Sequence, residues 1–323
     1  MQIIERKFLE TDTPTVHAST MAFFKGNIAQ AWFGGTREGL PDSSIYISYK
    51  GQIKKLKPDF LPKANGYNLP LWNPVLFPFK DHLYLFWKAG VFCDRWFSVL
   101  TDISDIGTDR DVNQMPYQVL PAGLNACVKT KPIVVKEGRK DIIYCGSSAE
   151  TIMNWSGFIE RYKLVNGKLE FLNRSNPLTV LGKGKGLIQP AIWDFGGTLH
   201  CFMRSDLGKI YYSRLEDSDN NTWSEPIATG IDNPNSSVDL VYIKDRLFLV
   251  CNPSSLYRFP LKLMEIDPNT FDVKDEITIQ DLDNDKTYRS PEFSYPYLIE
   301  HDGKLHLSYT YARTGIEYCV IEI

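Results

Sequence analysis

An all-β, six-bladed propeller is the fold class that the sequence predicts, and three observations predict it. A short turn followed by an apolar, aromatic-rich strand recurs six times. Each of these strands is flanked by another strand on either side. The last repeat stops one strand short, while the N-terminus offers an unclaimed one.

The turns and their strands read KGNIAQAWFGG, KDHLYLFWKAG, RKDIIYCGSS, GGTLHCFMRS, KDRLFLVCNPS and DGKLHLSYTYA. The first aliphatic residues after the turns are Ile28, Leu83, Ile142, Leu199, Leu247 and Leu305. The unit therefore repeats roughly every 50–60 residues, a spacing suited to a propeller blade. Before the turns lie STMAFF, NPVLFPF, KPIVVK, QPAIWDF, SVDLVYI and YPYLIEH; after them come IYISYK, WFSVLTD, GFIERYKL, KIYYSRL, LKLMEID and IEYCVIEI. Their β-branched and aromatic content and their alternation favour strand over helix throughout. A small sheet cannot bury both faces alone, and stacking blades around an axis solves that problem. The sixth blade ends at Ile323, so IIERKFL (Ile3 to Leu9) is expected to complete it and close the ring. No linker-like stretch interrupts the series, which makes residues 1–323 one propeller domain.

Composition narrows the function classes. The chain has 323 residues, a net charge of -3 and 43% hydrophobic residues, enough to bury a large core. Nothing in that balance points to a nucleic-acid or membrane partner. No apolar stretch approaches the roughly 18–20 residues of a membrane span. MQIIERKFLETD lacks the apolar segment of a signal peptide. Cys93, Cys127, Cys145, Cys201, Cys251 and Cys319 show no metal-binding spacing, and three of them stand in apolar strands as buried thiols. A cytoplasmic location is expected. No phosphate-binding loop, nucleophile elbow or HExxH occurs, and GKGKG (Gly182 to Gly186) fits no such pattern, so no cofactor or metal is expected.

In a propeller the innermost strand begins on the face where the second strand ends. About ten residues before the turn anchors stand His17, Asn73, Lys131, Gln189, Ser237 and Tyr295, four of them directly before or within X-Pro steps at a strand's start. The second strands run out into Arg37-Glu38, Lys88, Ser147-Ser148, Arg204-Ser205, Asn252, and Tyr309 with Arg313. Apolar strands that end repeatedly in charged or amide side chains on one face predict a polar, cation-rich cleft there. His17 is the one histidine at such a position; His82, His200, His301 and His306 fall in turns or mid-strand. Trp72 and Trp155 are candidates for a sugar platform, whereas Trp32, Trp87 and Trp193 belong between blades.

HAST, AWFGGTREG, WNPVLF, TKPI, GLIQPAIW, MRSDLGKIYYS, TWSEP, NPNSSVDL, NPSSLYRFPLKL and EFSYP together resemble the sialidase-like superfamily of BNR/Asp-box proteins. They look most like its HAST/WFGG branch, which includes rhamnose–glucuronate lyases. One Asp-box remnant is present, EDSDNNTW, with Ser218 and Asn220 at the usual Asp and Gly positions. The resemblance implies a sialidase-type propeller and an anionic oligosaccharide as partner. Carried over, Arg204 and Arg258 look like the second and third carboxylate-binding arginines, Tyr295 like the nucleophile, Glu150 like its partner, and Asp42 is the approximate counterpart of the acid. The first arginine's place reads TVHAST, with His17. That departure favours the lyase logic: cations neutralise a uronate carboxylate, a base such as His17 removes the C5 proton, and the 4-linked group leaves. Arg37, Asn73, Lys88, Lys131, Gln189, Tyr309 and Arg313 complete the expected substrate-binding set. An exo-sialidase-like hydrolase and a non-catalytic sugar-binding propeller are the alternatives.

Overall fold

The computed structural model describes residues 1–323 except Leu181, Lys183 and Arg289, so the first lysine of GKGKG lies outside the described residues. Six antiparallel sheets stand around a central channel. From the channel outwards, blade one comprises Thr15–Phe24, Asn27–Gly35, Ser44–Tyr49 and Gln52–Leu56. Blade two has Leu71–Phe79, His82–Ala89, Phe97–Asp102 and Tyr117–Val119; blade three has Ile133–Glu137, Lys140–Glu150, Trp155–Val165 and Lys168–Arg174. In blade four, Leu187–Phe195 and Thr198–Ser205 lead to Lys209–Asp217, on which both Thr222–Trp223 and Ile227–Asp232 pair. Blade five runs Asp239–Ile243, Arg246–Cys251, Leu261–Ile266 and Val273–Gln280. Among the described residues no helix is long and apolar enough to cross a membrane.

Blade six contains Phe293–His301, Lys304–Tyr311 and Gly315–Glu322, and its outermost strand is the N-terminal Gln2–Glu10. The sequence expectation of closure is met, with Ile3 opposite Ile321 and Leu9 opposite Ile316. Arg6 pins this strand in place. Its guanidinium meets Glu317, the Tyr309 hydroxyl at 3.1 Å and the carbonyl of Ile279 in blade five at 2.7 Å.

Apolar side chains fill the spaces between blades. Phe77, Tyr84 and Phe86 of blade two pack with Ile143, Cys145 and Tyr162 of blade three, and Phe248 and Val250 of blade five pack with Leu298 and Leu307 of blade six. Trp32, Trp87 and Trp193 are buried, and all six cysteines are free thiols. Blades three and four approach so closely that a Cβ at Gly146 would lie 2.0 Å from the carbonyl of Pro190, so only glycine fits there. The Asp-box remnant forms a tight turn in which the Asp217 carboxylate accepts the amides of Asp219 and Asn220, while Trp223 is buried beneath it.

One backbone feature positions the site. The inner strands of blades one, two, four and six each break register near the upper end of the channel, between His17 and Thr20, Trp72 and Val75, Ile188 and Ala191, and Ser294 and Tyr297. At each break one residue is left-handed: Ala18 (φ 54°), Asn73 (φ 39°), Gln189 (φ 56°) and Tyr295 (φ 55°). Such residues are uncommon outside glycine, and a bulge turns its side chain away from the strand's regular alternation. The same strained device in four blades at one level aims their side chains at a common place.

Candidate functional site

His17 lies at the centre of that level, 2% exposed. Its Nδ1 is 3.1 Å from Thr310 Oγ1, which also accepts the Ala18 amide at 3.2 Å. On the other side, Nε2 is 3.4 Å from an Arg313 nitrogen. A guanidinium only donates, so Nε2 is the acceptor and Nδ1–H donates to Thr310. The basic nitrogen therefore faces the arginines. Burial lowers the His17 pKa well below the ordinary value, and Arg313, Arg258, Arg204 and Lys129 lower it further.

Tyr295 packs against His17 with ring centroids 4.0 Å apart. Its hydroxyl accepts a 2.6 Å hydrogen bond from Arg204 Nη1, and Arg204 and Arg258 also lie over the ring at 5.4 and 5.7 Å. Arg204, 6% exposed, spends its remaining contacts on neutral groups: Asn235 Oδ1 at 2.6 Å and Gln189 Oε1 at 3.3 Å. Trp155 stands 6.0 Å from the same guanidinium.

Arg258 and Arg313 are tied together by Glu292, which accepts from Arg258 at 3.1 Å and from Arg313 at 2.6 Å. Arg313 also pairs with Glu38 across blades six and one. Glu150 ends the second strand of blade three, and its Oε1 is buried without a protein partner among the described residues. Burial raises its pKa; Arg204 opposes the rise and Glu38 adds to it. The site thus offers a neutral imidazole, a carboxyl biased towards its protonated form and a phenol under a guanidinium. Environments that drive titratable groups apart in this way separate acid from base roles. Among the described residues no group of three or more His, Cys, Asp or Glu side chains is arranged to hold a metal.

A family model for the BNR repeat-like domain matches residues 26–307. The chain belongs to that family. No curated protein matches it by sequence. Among solved structures, the NanB sialidase of Streptococcus pneumoniae aligns with TM-score 0.68 and 11% identity over 100% of this chain and 70% of that one. A Hadza microbial sialidase aligns with TM-score 0.69 and 10% identity, over 96% of this chain and 66% of the sialidase. An α-L-arabinanase of Penicillium chrysogenum, complexed with arabinobiose, gives TM-score 0.61 and 12% identity over 98% and 96%. At these identities the likeness is one of fold, and this chain spans about two-thirds to seven-tenths of the two sialidases.

Several residues expected in the cleft of this BNR repeat-like propeller stand elsewhere. Lys88 is fully buried between blades two and three, donating to the carbonyls of Asn125 (2.6 Å) and Cys127 (2.7 Å), and burial lowers its pKa to about 8. Tyr309 points outward to Arg6; strand alternation gives the site its neighbour Thr310 instead. Lys131 spans the channel to Asp239 at 2.7 Å and lines a cavity of about 340 Å³ with Phe23 and Phe77, towards the far ends of the inner strands. Asp42 accepts the Thr36 amide at 2.7 Å; burial pushes its pKa up, but the hydrogen bonds from Thr36 outweigh it and hold it low, the wrong direction for an acid at neutral pH. Arg37 is exposed beside Glu38. Asn73, by contrast, does stand at the level of the site, buried at the bulge of blade two.

The sequence reading missed Glu292, Thr310, Asn235 and Lys129 as site residues, and named Glu38 only as the neighbour of Arg37 at a strand's end. Glu292 sits just before the inner strand of blade six and Asn235 in the loop before blade five, outside the strand-end positions counted. Glu292 is itself the first residue of the EFSYP motif, which was the available signal.

Proposed function

We propose that this BNR repeat-like propeller cleaves the glycosidic linkage of a carboxylate-bearing oligosaccharide, by β-elimination at a uronic acid. The observation that carries the reading is Arg204. Among the described residues this buried guanidinium hydrogen-bonds only neutral groups, without the hydrogen-bonded anion that a buried cation ordinarily has. A sugar carboxylate supplies it, with the charge-assisted and partly bidentate geometry that arginine favours.

With the carboxylate neutralised, the C5 proton becomes acidic. His17 Nε2 takes that proton, the C5–H electron pair forms the C4–C5 double bond, and the C4–O bond breaks. Glu150 gives its proton to the departing oxygen. His17 suits the base role because its pKa is lowered, and Glu150 the acid role because its pKa is raised. The resemblance to the HAST/WFGG branch supports a uronate, and one of the fold's neighbours, the Trypanosoma rangeli sialidase, has been solved in complex with sialic acid, another carboxylate sugar. Hydrolysis through Tyr295 as nucleophile is the second reading, favoured by the Arg204 contact on its hydroxyl.

Incubation with oligosaccharides that carry a 4-O-glycosylated uronate, a terminal sialate or only neutral sugars tests the proposal. Consumption of the 4-O-glycosylated uronates alone is expected. Release of free sialate would move the assignment to the second reading, and ligand bound but unchanged at high protein concentration would make the propeller a binding module.

A further inference from the structure

We propose that Lys129 is a positioning residue for His17 and Tyr295, reaching from blade three across the channel to hold the two bulges and to place a positive charge beneath them. The role of Lys129 in turnover rests on the function proposed above; the geometry does not. Lys129 is 1% exposed, and among the described residues its ammonium donates to two groups, the carbonyl of Pro296 at 3.2 Å and that of Ser19 at 3.4 Å. Ser19 follows the bulge at Ala18, and Pro296 follows the bulge at Tyr295. One ammonium thus ties together the backbone just behind the imidazole and the phenol, which pack 4.0 Å apart.

The ammonium also lies over the rings of Tyr297 (5.0 Å) and Tyr295 (5.9 Å), and no carboxylate is within ion-pair distance of it among the described residues. An apolar side chain of the same length would fill this space without the cost of desolvating a charge. The groups that face it are His17 of blade one, Tyr295 and Tyr297 of blade six, Asp239 of blade five, and Lys131 of its own segment. Burial lowers the Lys129 pKa to about 7; Asp239 raises it and Lys131 lowers it. Below that pH its charge opposes protonation of His17, the direction a base requires. Above it, the clamp on the two carbonyls loses its charge.

Isotope-labelled histidine lets the His17 ring be followed by NMR in the wild type, in Lys129→Met and in Lys129→Gln, with His17→Asn giving the assignment. In the wild type the ring signals should stay those of a neutral imidazole and still inflect near pH 7 as Lys129 ionises. In Lys129→Met that inflection should vanish, and the ring's own titration should shift upward while burial and the three arginines still hold it below the ordinary value. Lys129→Met should melt no lower than the wild type. Turnover of a uronate substrate should fall by about 10²-fold in kcat, as misplaced groups cost, with KM changed far less. Wild-type signals flat through pH 7, or variants with unaltered His17 titration and kcat, would overturn the proposal. Should Lys129→Met fail to fold, Lys129→Gln and the wild-type titration still decide it. A wild type that cleaves no uronate but shows the inflection would sink the substrate assignment and leave Lys129 in its role.

Discussion

Arg204→Ala is expected to weaken binding of a uronate-capped oligosaccharide by about 2–5 kcal/mol, a loss of roughly 30- to 5,000-fold in Kd. The size follows from where the guanidinium sits. It is buried between Trp155 and Tyr295, and its protein partners are a phenol and two amides. Without it, a ligand carboxylate would be desolvated against Arg258 and Arg313, which already share Glu292. Lys at position 204 should recover only part of the loss, because it offers a point charge where a planar fork is needed. Calorimetric titration at fixed salt reads the effect. A change below about 0.5 kcal/mol would place the carboxylate elsewhere.

His17→Ala should lower turnover by about 10²–10⁴-fold, the usual contribution of one general base, while ligand still binds. The pH dependence follows from the same environment. Burial and four cations lower the folded His17 pKa, so the imidazole stays neutral as pH falls through 6.5 and the acid limb of kcat/KM should lie below that value. Stability carries the matching sign. Below pH 6.5 the unfolded chain binds a proton that folded His17 refuses, so stability should decrease as pH drops from about 6.5 towards the lowered pKa. Denaturant titrations at stepped pH should show this slope in the wild type and a smaller one in His17→Ala, where His200 and His306, also lowered by burial, still contribute. Near-full activity in the variant would remove His17 from the chemistry.

The blades were legible because their signals are local. Turn residues, alternation and the unclaimed N-terminal strand fixed six sheets and the ring closure without long-range information. The upper ends of the inner strands were legible for the same reason: Asn73, Gln189 and Tyr295 were each marked by the proline that follows, and each is a bulge residue. What the residues did not announce is the direction of a side chain. Counting to the end of a strand cannot separate Tyr309 from Thr310, whose side chains point to opposite faces, nor show that Lys88 turns into the space between two blades. Asp42 has the charge of an acid, but its carboxylate is committed to the Thr36 amide. Glu292 and Lys129 were hidden for another reason. Lys129 acts across the ring on Ser19 and Pro296, far away in sequence, and Glu292 joins Arg258 of blade five to Arg313 of blade six, contacts that only the folded propeller makes.

Cleavage in isotopically labelled water tests the central claim most directly. Elimination breaks the C4–O bond without adding water, so the account predicts an absorbing, unsaturated uronate at the new non-reducing end and a leaving sugar that keeps its own oxygen. No label should enter either product during the cleavage step. A saturated product that carries solvent oxygen at the cleaved carbon would contradict elimination through His17 and pass the reaction to hydrolysis with Tyr295.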